Sequence, residues 1–428
     1  MSASNISASV PWWKEPTKDQ WYAYSAAWLG WTLDAFDFTV FLFIIGPIAD
    51  EFKIPVTEVT IVFTLTLWMR LIGATGAGWL GDRIGRKWPL MISILWYSFC
   101  NFAAGFSPTF LFLLIFRTLL GIGMGAEWPA GAALAMESWP TRSRGFMSGI
   151  LQGSWGLGYA LAAAANWLLF ADFGWRGLLW IGILPALAVI WVRFFVKEPE
   201  VWAENKRQQT AKQTEVKLPL FAIFKRKYIF NTLTGCAWMA SAFCVYYSIW
   251  ALFPTYLARE LHWTPKQVFV PVFFANLIVF GGNALWGYVS DKWGRRPAIY
   301  IPAIIGVFVT PLYLYTNDPT WVMFGFILQG LFLGSIYGQN PSYLCERFPT
   351  EVRATASGFV YHQGAIFGGF VAPVLSYFAN EMHMGYAMPM MISTMGFTLL
   401  VVIFVLMGPE TKGKHLSPEV EVFAAADD

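Results

Sequence analysis

The sequence predicts an all-α polytopic membrane protein with twelve transmembrane helices, built as two six-helix bundles related by a pseudo-two-fold repeat. Three observations predict it. The 428-residue chain is 57% hydrophobic and only 13% charged, against roughly 25% charged in an ordinary soluble domain. Its apolar runs repeatedly reach the ~20 residues that a helix needs to cross a bilayer. Its cations crowd into alternate loops, and two loop motifs recur at one constant offset.

The apolar windows fall at residues 21–48, 57–81, 88–107, 109–136, 145–170 and 175–196, then at 228–257, 267–290, 297–316, 319–345, 354–380 and 385–408. They divide the chain into an N-terminus (1–20), a first bundle (21–196), a linker (197–227), a second bundle (228–408) and a C-terminus (409–428). The linker is charged and polar, and marks the boundary between the bundles. The stretch up to Gln20 runs straight into a long apolar segment without a short h-region, so no cleavable signal is expected. Cys100, Cys236, Cys244 and Cys345 lie in or at the ends of apolar stretches without metal-ligand spacing; free thiols are expected, with no disulfide framework.

An even number of spans puts both termini on one side. Loops on that side carry 22 Lys and Arg, against four opposite: Lys53, Arg176, Arg259 and Lys266. The positive-inside rule therefore places both termini and the linker in the cytoplasm of a multi-pass protein, expected in a bacterial inner membrane.

The repeat is legible in two places. "GWLGDRIGRK" begins at Gly78 and "GYVSDKWGRR" at Gly287; "ESWPTRSRGFMSG" begins at Glu137 and "ERFPTEVRATASG" at Glu346. Both pairs are 209 residues apart, which marks a parallel duplication. The doubled Gly-x-x-x-Asp-Arg/Lys-x-Gly-Arg-Arg/Lys loop resembles the signature of the major facilitator superfamily, and that resemblance implies two bundles rocking around a central cavity. Asp82, Arg83 and Arg86, with Asp291, Arg295 and Arg296, form compact clusters at helix ends. Such clusters can pair across helices in one conformation and part in the other. Gating is the expected role; purely topogenic charge is the plainer one.

Ionisable groups deep in a span cost on the order of 2.5–3.5 kcal/mol each and are functional candidates. Asp34, Asp37, Arg70, Arg117 and Glu127 qualify, all in the first half. The second half offers neutral polar groups, among them Gln339, Asn340, His362 and Gln363. Asp34 and Asp37, at i and i+3, share a helical face. Repulsion and desolvation favour a proton on at least one of them, so the pair is expected to couple transport to protons. The competing reading is a packing ion pair with Arg70 or Arg117. Glu127, ten residues beyond Arg117 and so about 15 Å along the helix, is a further candidate for a proton or a structural acid. Arg70 suits a substrate carboxylate or a salt bridge to either aspartate. Gln339, Asn340, His362 and Tyr247 are expected to complete the substrate site with Arg70 and Arg117, although a lone histidine is more often a packing residue. Arg117 resembles the arginine of the superfamily's fourth-helix motif, which implies a part in proton transfer.

"AAWLGWTLDAFDF", a second-helix Arg, "RxxxGxGxGAExP" and "ESWP" together resemble the sialate:proton symporter family, which includes sialic-acid transporters and lactate/pyruvate permeases. The resemblance implies proton-coupled import of an organic anion and assigns proton coupling to Asp34 and Asp37 through the D-x-F-D pattern. Two features depart from it: there are no extra central spans, and "YYSIWALFPT" (246–255) lacks the His-x-Ser/Thr-Gln-Asp run of fungal lactate permeases. The expected order of substrates is a small monocarboxylate such as lactate or pyruvate, then sialic acid, then aromatic acids, with an exporter as the nearest rival. No HExxH, GxSxG or clustered His/Cys set appears, so neither an enzyme nor a metal or other cofactor is expected. The expected partners are a small organic anion, protons and the lipid bilayer, with no nucleic acid and a monomer as the working unit.

Overall fold

The computed structural model describes residues 11–421; the expected termini extend beyond these, over 1–10 and 422–428. The first half runs through α1 (Lys18–Phe52), α2 (Val56–Ile84), α3 (Lys87–Ala104), α4 (Phe110–Ser138), α5 (Arg144–Trp180) and α6 (Pro185–Phe195). The linker contains α7 (Glu200–Lys212) and α8 (Pro219–Ala222). The second half follows as α9 (Ile229–Ile249), α10 (Phe253–Arg259), α11 (Pro265–Trp293), α12 (Pro297–Leu314), α13 (Pro319–Phe332), α14 (Asn340–Arg347), α15 (Arg353–Asn380) and α16 (Ala387–Met407).

Ten helical stretches among the described residues are long and apolar enough to cross a membrane. One of them, Thr141–Phe195, has 55 residues, about 80 Å of helix against a ~30 Å hydrocarbon core. It is two crossings joined at Gly174, whose φ of 59° only glycine adopts freely. α3, 18 residues long, buries the polar Ser93, Ser98 and Asn101 among its apolar residues, and it supplies the twelfth crossing. Outward-facing side chains such as Trp167, Phe194 and Phe308 are 82%, 76% and 74% exposed, as a chain solvated by lipid requires.

Two elements differ from expectation. The tenth span is not one helix: α13 gives way to a 3₁₀ segment, Leu333–Gln339, before α14. Pro341, at the start of α14, has no N–H to continue the α-helical ladder, and Gly334 and Gly338 lower the cost of the tighter winding. The linker, expected as a plain charged connection, is largely helical, since "EVWAENKRQQTAK" consists mostly of good helix formers.

In the first half α1 packs on α5 and α2 on α4; in the second α9 packs on α15 and α16, and α11 on α13. The halves meet along two seams, α5–α11 and α2–α15. Close approach of backbones needs glycine at both levels. A Cβ on Gly125 would fall 2.0 Å from the Arg70 carbonyl oxygen within the first half, and one on Gly149 would fall 2.1 Å from the Asn283 carbonyl oxygen across the seam. The four cysteines are free.

Candidate functional site

A cavity of about 580 Å³ lies where the two halves face each other. Eight of its thirteen lining residues are aromatic, including Phe38 and Trp155 from the first half and Tyr246, Tyr247, Tyr337 and Tyr361 from the second. Arg70 is the one charged residue among those lining it. Its Nη2 donates to Asp34 Oδ2 at 2.6 Å, and its guanidinium carbon stands 5.0 Å from the Phe38 ring centre and 5.4 Å from that of Trp155. The aromatic rings and the carboxylate hold the guanidinium against the wall.

A second charged group lies deeper in the same half. Arg117 Nη1 donates to Asn101 Oδ1 at 2.8 Å and packs 4.3 Å from the centre of the Phe41 ring. Asp37 is fully buried, and Arg117 is the cation that acts on it. Asn101 and Asp37 both crowd Gly182, where a Cβ would fall 2.1 Å from Asn101 Nδ2 and 3.0 Å from Asp37 Oδ1. Glu127 forms a third station. Its side chain is 1% exposed, and an added Cβ on Gly30 would fall 2.6 Å from its Oε1. Neither of its oxygens has a hydrogen-bond partner among the described residues. Gly30 is one turn before Asp34 on α1, so Glu127 sits about 6 Å along that helix from the Asp34–Arg70 pair.

Three buried carboxyls thus face two buried guanidinia. An unpaired charge at such depth costs several kcal/mol, so the set is neutral overall when one carboxyl carries a proton. Proton uptake and ion pairing are therefore alternatives for the same groups.

A bridge between the halves lies beside the cavity. Gln152 accepts from Trp128 Nε1 and donates to the Tyr361 hydroxyl, both at 3.2 Å, and the Trp128 and Tyr361 rings stack with centres 4.1 Å apart. His362 packs behind them, its Nδ1 3.1 Å from the Gly358 carbonyl oxygen. Of the residues expected to bind substrate, Arg70 and Tyr247 line the cavity; Gln339, Asn340 and His362 are buried off its wall, and Arg117 belongs to the Asp37 station. Sequence reasoning missed Phe38, Trp155, Gln152 and Tyr361. Gln152 alone carried a signal, as a lone amide within an apolar window.

At the cation-rich end the halves are clamped by two related sets of bonds. Glu137 binds Arg86 of its own half at 2.7 and 3.0 Å and Arg353 of the other half at 2.6 Å. Glu346 binds Arg295 of its own half at 2.9 and 3.0 Å and Arg144 across at 3.4 Å. Asp82 accepts from the Ala354 and Thr355 amides, and Asp291 from those of Gly145 and Phe146. Burial alone would lower the pKa values of Arg86 and Arg295; their glutamate and aspartate partners hold both above the ordinary arginine value. The expected gate residues divide here. Arg83 packs on Trp79, and Arg296 donates to the Leu406 carbonyl, so neither reaches the opposite half through these bonds. Glu137, Glu346, Arg144 and Arg353 join the clamp instead.

Two six-helix halves, a cavity at their interface and a clamp at one end define a membrane transporter. The profile of the Major Facilitator Superfamily matches residues 27–282 and 238–426, and the chain belongs to that superfamily. Over 94% of the chain and 93% of the relative, it is 32% identical to a probable 4-methylmuconolactone transporter of Cupriavidus pinatubonensis. It is 32% identical to a cis,cis-muconate transport protein of Acinetobacter baylyi over 82% and 85% of the two chains. Against the sialic acid transporter NanX of Escherichia coli the identity is 28% over 93% and 96%. The fold matches the proton:xylose symporter XylE with a TM-score of 0.74 at 18% identity, over 93% of this chain and 98% of that one.

Proposed function

We propose that this protein imports an organic carboxylate together with protons, and that the preferred substrate is a planar, unsaturated acid related to muconate, its lactones or an aromatic acid. The observation that carries this reading is Arg70: one guanidinium, paired to Asp34 at 2.6 Å, set in a mostly aromatic wall. A carboxylate can replace Asp34 on that guanidinium, and a flat conjugated body suits the surrounding rings better than the small aliphatic body of lactate or pyruvate. The relatives named for muconate and methylmuconolactone support the same class and move it ahead of the small monocarboxylates expected first. Sialic acid stands second, supported by the relative named for it.

The cycle follows from the charge count. With the cytoplasmic end clamped, a proton reaching Asp34 releases Arg70, which takes the incoming carboxylate. Asp37, with Arg117 and Asn101, forms a second proton station, and Glu127 holds the proton that balances the set. The substrate bridges the halves through the Gln152–Tyr361 contact, the clamp parts, and the cavity opens inward. Release to a more alkaline cytoplasm returns Asp34 to Arg70.

Uptake into proteoliposomes under an imposed inward proton gradient tests this directly, with cis,cis-muconate, benzoate, sialate and lactate as substrates. Gradient-driven accumulation of muconate or benzoate ahead of lactate is expected. Accumulation that ignores the gradient, or that favours lactate, would overturn the reading.

A further inference from the structure

The two seams between the halves differ at the cation-rich end. Over α2–α15 the linker lies across the seam: α8 packs on both helices, and Trp79 Nε1 donates to the Lys217 carbonyl at 3.1 Å. The equivalent end of α5–α11 opens instead into a crevice of about 1050 Å³. Its cations come from both sides of the seam: Arg142 precedes α5, Lys292 lies in the last turn of α11, and Lys412 belongs to the C-terminal tail. Lys412 Nζ spends one N–H on the Lys292 carbonyl at 2.6 Å, leaving two to turn elsewhere. Among the described residues Asp291 is the one acid lining the crevice, and its oxygens are already taken by the Gly145 and Phe146 amides, at 2.9 and 2.8 Å, and by Arg295. The described lining of the crevice therefore carries net positive charge.

Trp12 and Phe146 supply an apolar wall. The same Trp12 lines a neighbouring apolar groove of about 460 Å³ between α1 and α5, with Trp21, Trp28, Met147 and Ile150 on its walls. A cationic pocket and an apolar groove thus adjoin at one indole. Around them Trp13, Tyr288 and Trp293 are 54%, 53% and 65% exposed, the amphipathic rings expected at headgroup depth.

We propose that this crevice binds an anionic phospholipid, with its phosphate between Lys292 and Lys412 and one acyl chain in the α1–α5 groove. A free phosphate would use the cations and leave the groove empty; the lipid fills both. Basic pockets between transmembrane helices on the cytoplasmic side hold such headgroups by the same physics. Since Lys292 and Lys412 belong to the second half and the groove to the first, the lipid favours the clamped state and leaves when the halves part.

Native mass spectrometry of the detergent-purified protein, titrated with dioleoylphosphatidylglycerol or dioleoylphosphatidylcholine, tests the site. The anionic lipid is expected to bind at least ~10-fold more tightly. The double variant Lys292→Gln, Lys412→Gln should weaken it by about 30-fold, two surface charges' worth, and leave the zwitterionic lipid unaffected. Ile150→Trp fills the groove without touching a cation and should also weaken the anionic lipid, while an excess of inorganic phosphate should not displace it. Equal retention of the two lipids by the unaltered protein, or displacement by inorganic phosphate, would overturn the proposal even if a variant fails to fold. So would undiminished binding in both folded variants.

Discussion

The two halves are nearly copies at the clamp and strangers in the membrane. At the clamp, Asp82, Arg86, Glu137 and Arg144 recur as Asp291, Arg295, Glu346 and Arg353, each 209 residues on, and each glutamate ties its own arginine to the arginine of the opposite half. At mid-membrane the first half carries Asp34, Asp37, Arg70, Arg117 and Glu127, whereas the second turns Tyr246, Tyr247, Tyr337, Tyr361 and Asn283 to the cavity that Arg70 lines. Duplication has been kept where both halves must close on each other. It has been lost where one half handles charge and the other shapes the remaining wall. A symmetric clamp needs equal partners; the proton-linked exchange proposed for Arg70 does not.

The sharpest break of that asymmetry is to remove the acids. Asp34→Asn or Asp37→Asn should reduce gradient-driven accumulation by about 100-fold or more, because an amide at neutral pH neither loads nor releases a proton. Counterflow of substrate across equal pH should survive at a measurable rate. Proton-driven accumulation at wild-type levels in both variants would remove the first-half acids from coupling.

The clamp offers the converse test, since its symmetry is not complete. Arg353 leans on Glu137 at 2.6 Å with the Cys345 carbonyl as its other acceptor. Arg144 sits 3.4 Å from Glu346 but also donates to the Met136, Trp139 and Lys414 carbonyls. Glu137→Gln should therefore destabilise the clamped state by about 3–5 kcal/mol, the cost of stranding a buried charge, and Glu346→Gln by less. Hydrogen exchange at the starts of α5 and α15 reads both. Equal losses would mean that the additional carbonyl bonds of Arg144 contribute nothing.

How much of this was legible in the sequence follows the same division. The spans, the repeat and the five intramembrane charges stand out because a bilayer makes charge rare and apolar length obligatory. The aromatic wall stood out only in part, at Tyr247 among others, because 18% of the chain is aromatic and many such rings face lipid or core. Gln339 and Asn340 show the limit plainly: they lie at a promising depth, but the 3₁₀ winding before α14 turns the tenth span, and depth alone does not say which way a side chain faces. The clamp glutamates sat inside the repeated motif itself; their partners became visible only when the fold brought residue 137 to residue 353.

Replacing Arg70 by lysine tests the charged half more gently. Arg70→Lys keeps the charge and the pairing with Asp34 but loses the planar two-pronged donor. The apparent KM for a carboxylate substrate should rise about 10-fold, one charge-assisted hydrogen bond's worth, with proton coupling retained. An unchanged KM would leave Arg70 as a packing partner of Asp34 only.

The smallest expected effect belongs to the neutral half. Tyr361→Phe removes the hydroxyl that accepts from Gln152 at 3.2 Å and leaves the ring stacked on Trp128. One neutral hydrogen bond contributes about 0.5–1.5 kcal/mol, so the apparent KM should rise by a factor of roughly 2–10 through a less rigid wall, with no change in the pH dependence of uptake. The pH profile is what separates the halves: a shifted profile in Tyr361→Phe would place the second half in the proton path and end the division of labour between them.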